Sequence, residues 1–437
     1  MHLHDSILLM SAFLISISPA LGAGQIHEVS YSGSDKPGEL AYSAIYRVWI
    51  PDGVARLRGV IIHQHGCGKG ACDGGLTAAD DLHWQALAKK WDCALLGPSY
   101  GQADGQDCKL WYDPRKGSRA KLLQGLQDLS ELSGHPELAS LPWCLWGHSG
   151  GGSWASLMQT LDPERIVAIW LRSGTAMPAW EKGDIAKPDQ PDSIYQIPVV
   201  CNPGAKEKGD SRFNGAWTGA LAMFQAYRAK GAPIAFAPDP RTAHECGDSR
   251  YLAIPFFDAC LAARLPEQGT SLRPLNLSKG WLARLEGDTV SEAGLYEGDI
   301  KEASWFPSES VAKAWLEYSK TASVSDPTSP PAPFGLKATK TDVGTELTWD
   351  ALADFESGLR GFLIQRDGKT IATLPEKPIG KFGRPLFQSM SYHDTPEKPL
   401  PIMKYVDREP GQGSKYQVIA VNSVGLESPA CIAATAP

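Results

Sequence analysis

Residues Leu145 to Trp154 read L-W-G-H-S-G-G-G-S-W, and their core, Gly147-His148-Ser149-Gly150-Gly151, is a G-x-S-x-G pattern. A short apolar stretch, Pro142 to Trp146, precedes it, and residues that suit a helix, Trp154 to Gln159, follow. Strand, sharp turn and helix in that order lift a serine hydroxyl clear of a sheet edge. Only small flanking residues permit so tight a turn, and the helix N-terminus behind the serine favours negative charge. Nucleophilic attack is the chemistry expected of Ser149.

A serine hydroxyl is a weak nucleophile until a base takes its proton and a third group orients that base. Downstream, Ile197 to Asn202 is apolar and β-branched and predicts a buried strand. The turn that follows, Pro203-Gly204-Ala205-Lys206-Glu207, places a carboxylate at the strand end. Glu207 is the first choice for the acid and Asp210, three residues on, is its rival. Residues 232–237 predict the next strand, and beyond it comes His244-Glu245-Cys246-Gly247-Asp248. A histidine on a loop after the last core strand is placed to act as the base. His27, His135 and His393 are set aside by their positions, His393 because it falls in a different domain. His148 is set aside because neighbouring extended residues point to opposite sides.

Stabilising an oxyanion requires two well-placed N–H donors. Residues 58–64 form an early predicted strand that runs into His65-Gly66-Cys67-Gly68-Lys69-Gly70. That turn nominates the amide of Cys67, with the amide of Gly150 as its partner. His63, His65 and His83 lie near Asp80 and Asp81, but no H-E-x-x-H or paired C-x-x-C pattern accompanies them, so no metal and no cofactor is expected.

These anchors sit in an alternating series. Strands are predicted over 42–50, 58–64, 92–97, 142–146, 166–171, 197–202 and 233–238, and helices over 79–91, 117–133, 150–161, 215–230 and 251–264. Pro255 is expected in the first turn of the last helix. Such alternation predicts a mostly parallel sheet with helices on both faces. The segment 172–196 is long enough to form a cap, and partial helices are expected between 266 and 322, the best of them over 308–320.

Over roughly residues 40–265 the chain resembles the α/β-hydrolase superfamily. The residues that carry the likeness are His65-Gly66-Cys67-Gly68, Gly147-His148-Ser149-Gly150-Gly151, Gly204-Ala205-Lys206-Glu207 and His244-Glu245-Cys246-Gly247. The resemblance implies a Ser-acid-His triad acting on esters or, less often, on peptides. Glutamate at the acid position is a permitted but less usual choice.

The C-terminal part changes character. Residues 323–333 are proline-rich and predict a semi-rigid extended linker. Short alternating strands follow, including Glu346-Leu347-Thr348-Trp349 and Gly361 to Lys369. With the ending Tyr416-Gln417-Val418-Ile419-Ala420-Val421-Asn422, they resemble a fibronectin type III domain across about 334–433, which implies a two-sheet β-sandwich. The stretch 374–402 is longer than that fold's usual connection. The expected organisation is therefore a signal peptide over 1–22, a catalytic domain over 26–322, the linker, and the sandwich over 334–437.

Residues 6–22 are apolar, too short to span a bilayer and end in small residues, as a secretory signal does, although no Lys or Arg precedes them. A secreted or periplasmic protein with no membrane contact after cleavage is expected. A net charge of −7, spread without long blocks, argues against a nucleic-acid partner. Nine cysteines suit an oxidising compartment. One pair is expected among Cys67, Cys72 and Cys108, and a Cys201–Cys246 staple is possible.

Together these features predict a secreted serine hydrolase for carboxylic esters, small or polymer-linked. Polysaccharide or protein contact through the C-terminal domain is part of the expectation. The competing readings are a serine peptidase of the same fold and an inactive extracellular binding protein. Trp84, Trp111, Trp154, Trp180, Tyr100 and Tyr112 lie near loops that could line a pocket for a sugar ring or aryl ester; singly, each reads as core.

Overall fold

A computed structural model describes residues 24–377, 380–383, 385–400 and 402–435. The expected signal segment lies outside them.

The main sheet is built from β1 (Gly24–Tyr31), β2 (Ala44–Pro51), β3 (Gly59–Gln64), β4 (Cys93–Tyr100), β5 (Trp143–His148), β6 (Ile166–Arg172), β7 (Val199–Asn202) and β8 (Ile234–Phe236). Its order is β1-β2-β4-β3-β5-β6-β7-β8. The first two pairings are antiparallel and the rest parallel. The helices of this part are α1 (Lys69–Asp73), α2 (Leu82–Lys90), α3 (Lys109–Tyr112), α4 (Ser118–Ser133), α5 (Gly150–Leu161), α6 (Met177–Lys182), α7 (Asn214–Arg228) and α8 (Arg250–Arg264). They cover both sheet faces: Leu126, Met158 and Phe224 close one core, while Trp84, Phe257 and Leu261 close the other. This is the α/β-hydrolase architecture. Strands β3 and β5 to β8 are buried throughout, as strands covered on both faces must be. No helix among the described residues is long and apolar enough to cross a membrane.

Three expectations are corrected. Strand β1 lacks a clear alternating pattern and was not foreseen; it forms through its full-length pairing with β2 and the Arg47–Glu28 contact of 2.9 Å. Pro255 lies inside α8 rather than in its first turn. The lost hydrogen bond is tolerated because Ile254, Phe256, Phe257, Cys260 and Leu261 are all buried and hold the helix in place. Between 266 and 322, the expected partial helices are short turns at Leu277–Lys279, Ala293–Leu295 and Ile300–Glu302, and a three-stranded antiparallel sheet that was not foreseen stands among them. The sheet consists of β9 (Trp281–Arg284), β10 (Val290–Glu292) and β11 (Ala303–Phe306), and the helix expected over 308–320 follows as α9 (Glu309–Thr321), capped by Ser308. This unit closes the β8 edge of the main sheet. Ser304 Oγ accepts from Phe236 N at 2.9 Å, and Trp315 Nε1 donates to Phe236 O at 3.0 Å.

The C-terminal part comprises β12 (Phe334–Thr341), β13 (Gly344–Asp350), β14 (Leu359–Arg366), β15 (Lys369–Leu374), β16 (Lys404–Asp407), β17 (Lys415–Asn422) and β18 (Cys431–Thr435). They form antiparallel sheets in the orders β12-β13-β16 and β15-β14-β17-β18. Trp349, Phe362, Tyr416 and Val418 fill the core between them, and that core continues onto Leu82 of α2. The C-terminal part is therefore packed against the α/β part rather than spaced from it by a linker.

Candidate active site

Ser149 stands between β5 and α5 with φ 54° and ψ −114°. A non-glycine residue at positive φ is strained, and two backbone hydrogen bonds hold it there. Ser149 N donates to Arg172 O at 2.8 Å, and Ser149 O accepts from Ser153 N at 3.0 Å. Glycine is required on both sides of the turn: a Cβ on Gly147 would meet the Gly151 carbonyl, and one on Gly174 would meet the Ser149 carbonyl.

Glu207 ends a short helical turn, Ala205–Glu207, just after β7 and is fully buried. Its Oε2 accepts from Gly204 N at 3.0 Å, which locks the carboxylate. Its Oε1 lies 2.6 Å from Nδ1 of His244, and Nε2 of His244 lies 2.9 Å from Ser149 Oγ. The acid turn and the histidine loop are zipped together by Ala205 N donating to Asp239 O at 2.8 Å and Lys206 N donating to Thr242 O at 3.0 Å. Phe213 stacks on the imidazole of His244 at 4.0 Å and 11°. With Nδ1–H donating to Glu207, Nε2 presents its lone pair to the serine hydroxyl.

Asp210 is not brought to the imidazole Nδ1. Its carboxylate accepts from the backbone N–H groups of Arg212 and Phe213, at 2.8 and 2.7 Å, which holds its pKa below the ordinary value.

Cys67 is disulfide-bonded to Cys108, and this pair borders the Gly150 backbone. Neither the Cys67 nor the Gly150 amide is taken by an acceptor among the described residues. Two N–H donors thus stand beside the serine. The second expected staple does not form: Cys201 and Cys246 are buried free thiols, with burial the main cause of their raised pKa values.

Two contributors were missed from sequence. Buried Arg172, at the end of β6, ties the histidine loop to β7 by donating to Asn202 O at 2.7 Å on the strand and to Thr242 Oγ1 at 2.8 Å and Glu245 O on the loop. The other is the segment around His393, which reaches the site from the C-terminal part: a Cβ on Gly66 would lie 3.1 Å from His393 Nδ1 and 3.3 Å from Ser149 Cβ. The unusual length of 374–402 was its one sequence signal. Of the aromatics weighed as pocket walls, Trp84, Trp111, Trp154, Trp180 and Tyr100 are buried in the cores, and Tyr112 is partly buried against them.

No family model matches the chain, and no curated protein matches it. Solved structures do. A dienelactone hydrolase from Anabaena variabilis shares 16% identity at a TM-score of 0.36, over 56% of this chain and 100% of that one. An S-formylglutathione hydrolase from Agrobacterium tumefaciens shares 15% at 0.34, over 55% and 94%. An acetyl xylan esterase from Aspergillus awamori shares 14% at 0.29, over 42% and 73%. Likenesses this distant leave the chemistry and the substrate to be argued from the site.

Proposed function

We infer that the protein is a serine hydrolase cleaving carboxylic esters. One observation carries the reading: a continuous hydrogen-bonded line runs from Ser149 Oγ through His244 to Glu207, at 2.9 and 2.6 Å. In the proposed reaction Ser149 Oγ attacks the ester carbonyl as its proton passes to Nε2 of His244. Glu207 holds the imidazole in the tautomer that can accept that proton and stabilises the resulting imidazolium. The amides of Cys67 and Gly150 receive the oxyanion. Collapse expels the alcohol, which takes its proton from His244, and water then enters by the same path to release the acid and restore the serine.

The Cys67–Cys108 disulfide supports a secreted or periplasmic setting, as does the apolar segment at residues 6–22. The order of the C-terminal strands supports a fibronectin type III-like reading of that part. Esters on polysaccharides or polymers are the proposed substrates, with small carboxylic esters beside them.

A fluorophosphonate probe tests the chemistry. An adduct should form on Ser149, located by mass spectrometry, and should be absent from Ser149→Ala, which should keep the fold and lose ester turnover. An unmodified wild-type serine, or undiminished ester hydrolysis by the mutant, would overturn the reading. Parallel amide substrates separate a peptidase from an esterase.

A further inference from the structure

Three histidines meet beside Ser149, and one of them comes from the far end of the chain. Nε2 of His148 lies 2.7 Å from the backbone oxygen of His244, and Nδ1 of His148 lies 2.7 Å from Nδ1 of His393. A carbonyl oxygen only accepts, so His148 must carry its proton on Nε2. Burial, with His393 and His244 nearby, pushes the pKa of His148 well below its ordinary value and keeps the ring neutral. Its Nδ1 is then a bare lone pair, and His393 must donate from its own Nδ1–H. The bonds run in one direction: His393 Nδ1–H to His148 Nδ1, then His148 Nε2–H to the carbonyl of His244.

The donor at the head of this chain is held firmly. Asp394, the next residue, lies 2.9 Å from Arg250 Nε and 3.3 Å from Trp84 Nε1. Tyr392 O accepts from Cys246 N at 3.1 Å, two residues beyond His244. Gln388 clasps α2, accepting from Leu82 N at 2.9 Å and donating to Asp80 O at 2.7 Å. The segment is thus fixed to the catalytic part on both sides of His393.

We propose that His393 is a positioning residue of the hydrolytic site, acting through His148 to fix the backbone of His244 and hence the line from its Nε2 to Ser149. The proposal rests on the catalytic reading of Ser149 and His244 given above. Glu207 and Phe213 constrain the imidazole ring, but neither constrains the carbonyl of its own residue; the histidine chain does. Small displacements of a catalytic group lower the rate of the chemical step more than they weaken binding. On this account the C-terminal part is a working component of the active site.

The test uses the full chain. His393→Phe keeps a ring of similar volume without the donor, and His393→Asn restores an N–H near the same place. Both are compared with wild type by the rate of fluorophosphonate modification and by kcat and KM on a p-nitrophenyl ester. The Phe variant should lose tenfold or more in modification rate and kcat with KM within about twofold, and the Asn variant should recover most of the loss. His148→Ala combined with His393→Phe should be no slower than His148→Ala alone. Equal rates in the Phe and Asn variants, or additive losses in the double variant, would overturn the proposal while leaving Ser149 reactive. An unreactive wild-type serine would instead overturn the catalytic reading, and the positioning role would fall with it.

Discussion

Glu207 shows how much a single carboxylate can be asked to do. It is fully buried, and its two oxygens have separate duties, one bound to the Gly204 amide and one to His244. A carboxylate accepts only, so it forces the imidazole proton onto Nδ1 and leaves Nε2 free for the serine. A glutamine at 207 could turn its amide N–H toward Nδ1 and favour the opposite tautomer. Glu207→Gln is therefore expected to keep the fold and lower kcat by about 10⁴-fold, as the equivalent change does in a serine protease with a Ser-His-Asp triad. Steady-state kinetics with a melting curve would check it, and a loss below about tenfold would remove Glu207 from the line.

At the level of elements, the turn between β5 and α5 exists because backbone meets backbone with no side chain between. Gly174, in the loop after β6, lets that loop lie against the carbonyl of Ser149. Even a methyl group there forces the loops apart, and overpacking of this kind costs about 1–3 kcal/mol. Gly174→Ala should lower the urea midpoint accordingly and slow the modification of Ser149, because the added methyl would press on the carbonyl of the serine itself. A variant of wild-type stability and reactivity would show that the loop has room to move.

The whole molecule is joined by buried polar groups rather than by a linker. Arg250 lies between Asp81, at 2.6 Å, and Asp394, at 2.9 Å, and all three are buried. Burial alone would raise the pKa of Asp394, but Arg250 and His63 hold it below the ordinary value. Around this junction lie buried neutral histidines. Burial lowers the pKa of both His65 and His83 to about 4, and it also pushes His148 well below its ordinary value. In the unfolded chain these rings protonate near pH 6.5, so below that pH the unfolded state binds more protons than the folded one. Their contribution is complete above about 6.5 and is lost as the pH falls toward 4. The slope approaches about 1.4 kcal/mol per pH unit for each ring, or about 4 kcal/mol per unit for the three. The contribution of Asp394 persists until the pH falls below its ordinary value of 3.8. Urea unfolding followed between pH 7.5 and 4.5 should show stability falling steeply on the acid side. A flat profile would mean that these rings are protonated in the folded state.

The sequence alone determined the elements whose patterns are local. The strand, turn and helix around Ser149, the G-x-x-E turn after β7 and the loop after β8 are each written in a dozen residues or fewer. Backbone sterics and apolar periodicity act at that range, so the positions of Ser149, Glu207 and His244 were legible. Only the tertiary structure decided what surrounds them. His148 and His393 are 245 residues apart, and no pattern short enough to read in one sequence links them. The same holds for β1, which is a strand because β2 lies beside it, and for Arg172, whose acceptors all lie on later segments. A domain that reads as a detached sandwich is instead held against the sheet domain, because the buried charge of Arg250 needs partners and Asp394, 144 residues away in the chain, is brought to it only by the tertiary structure.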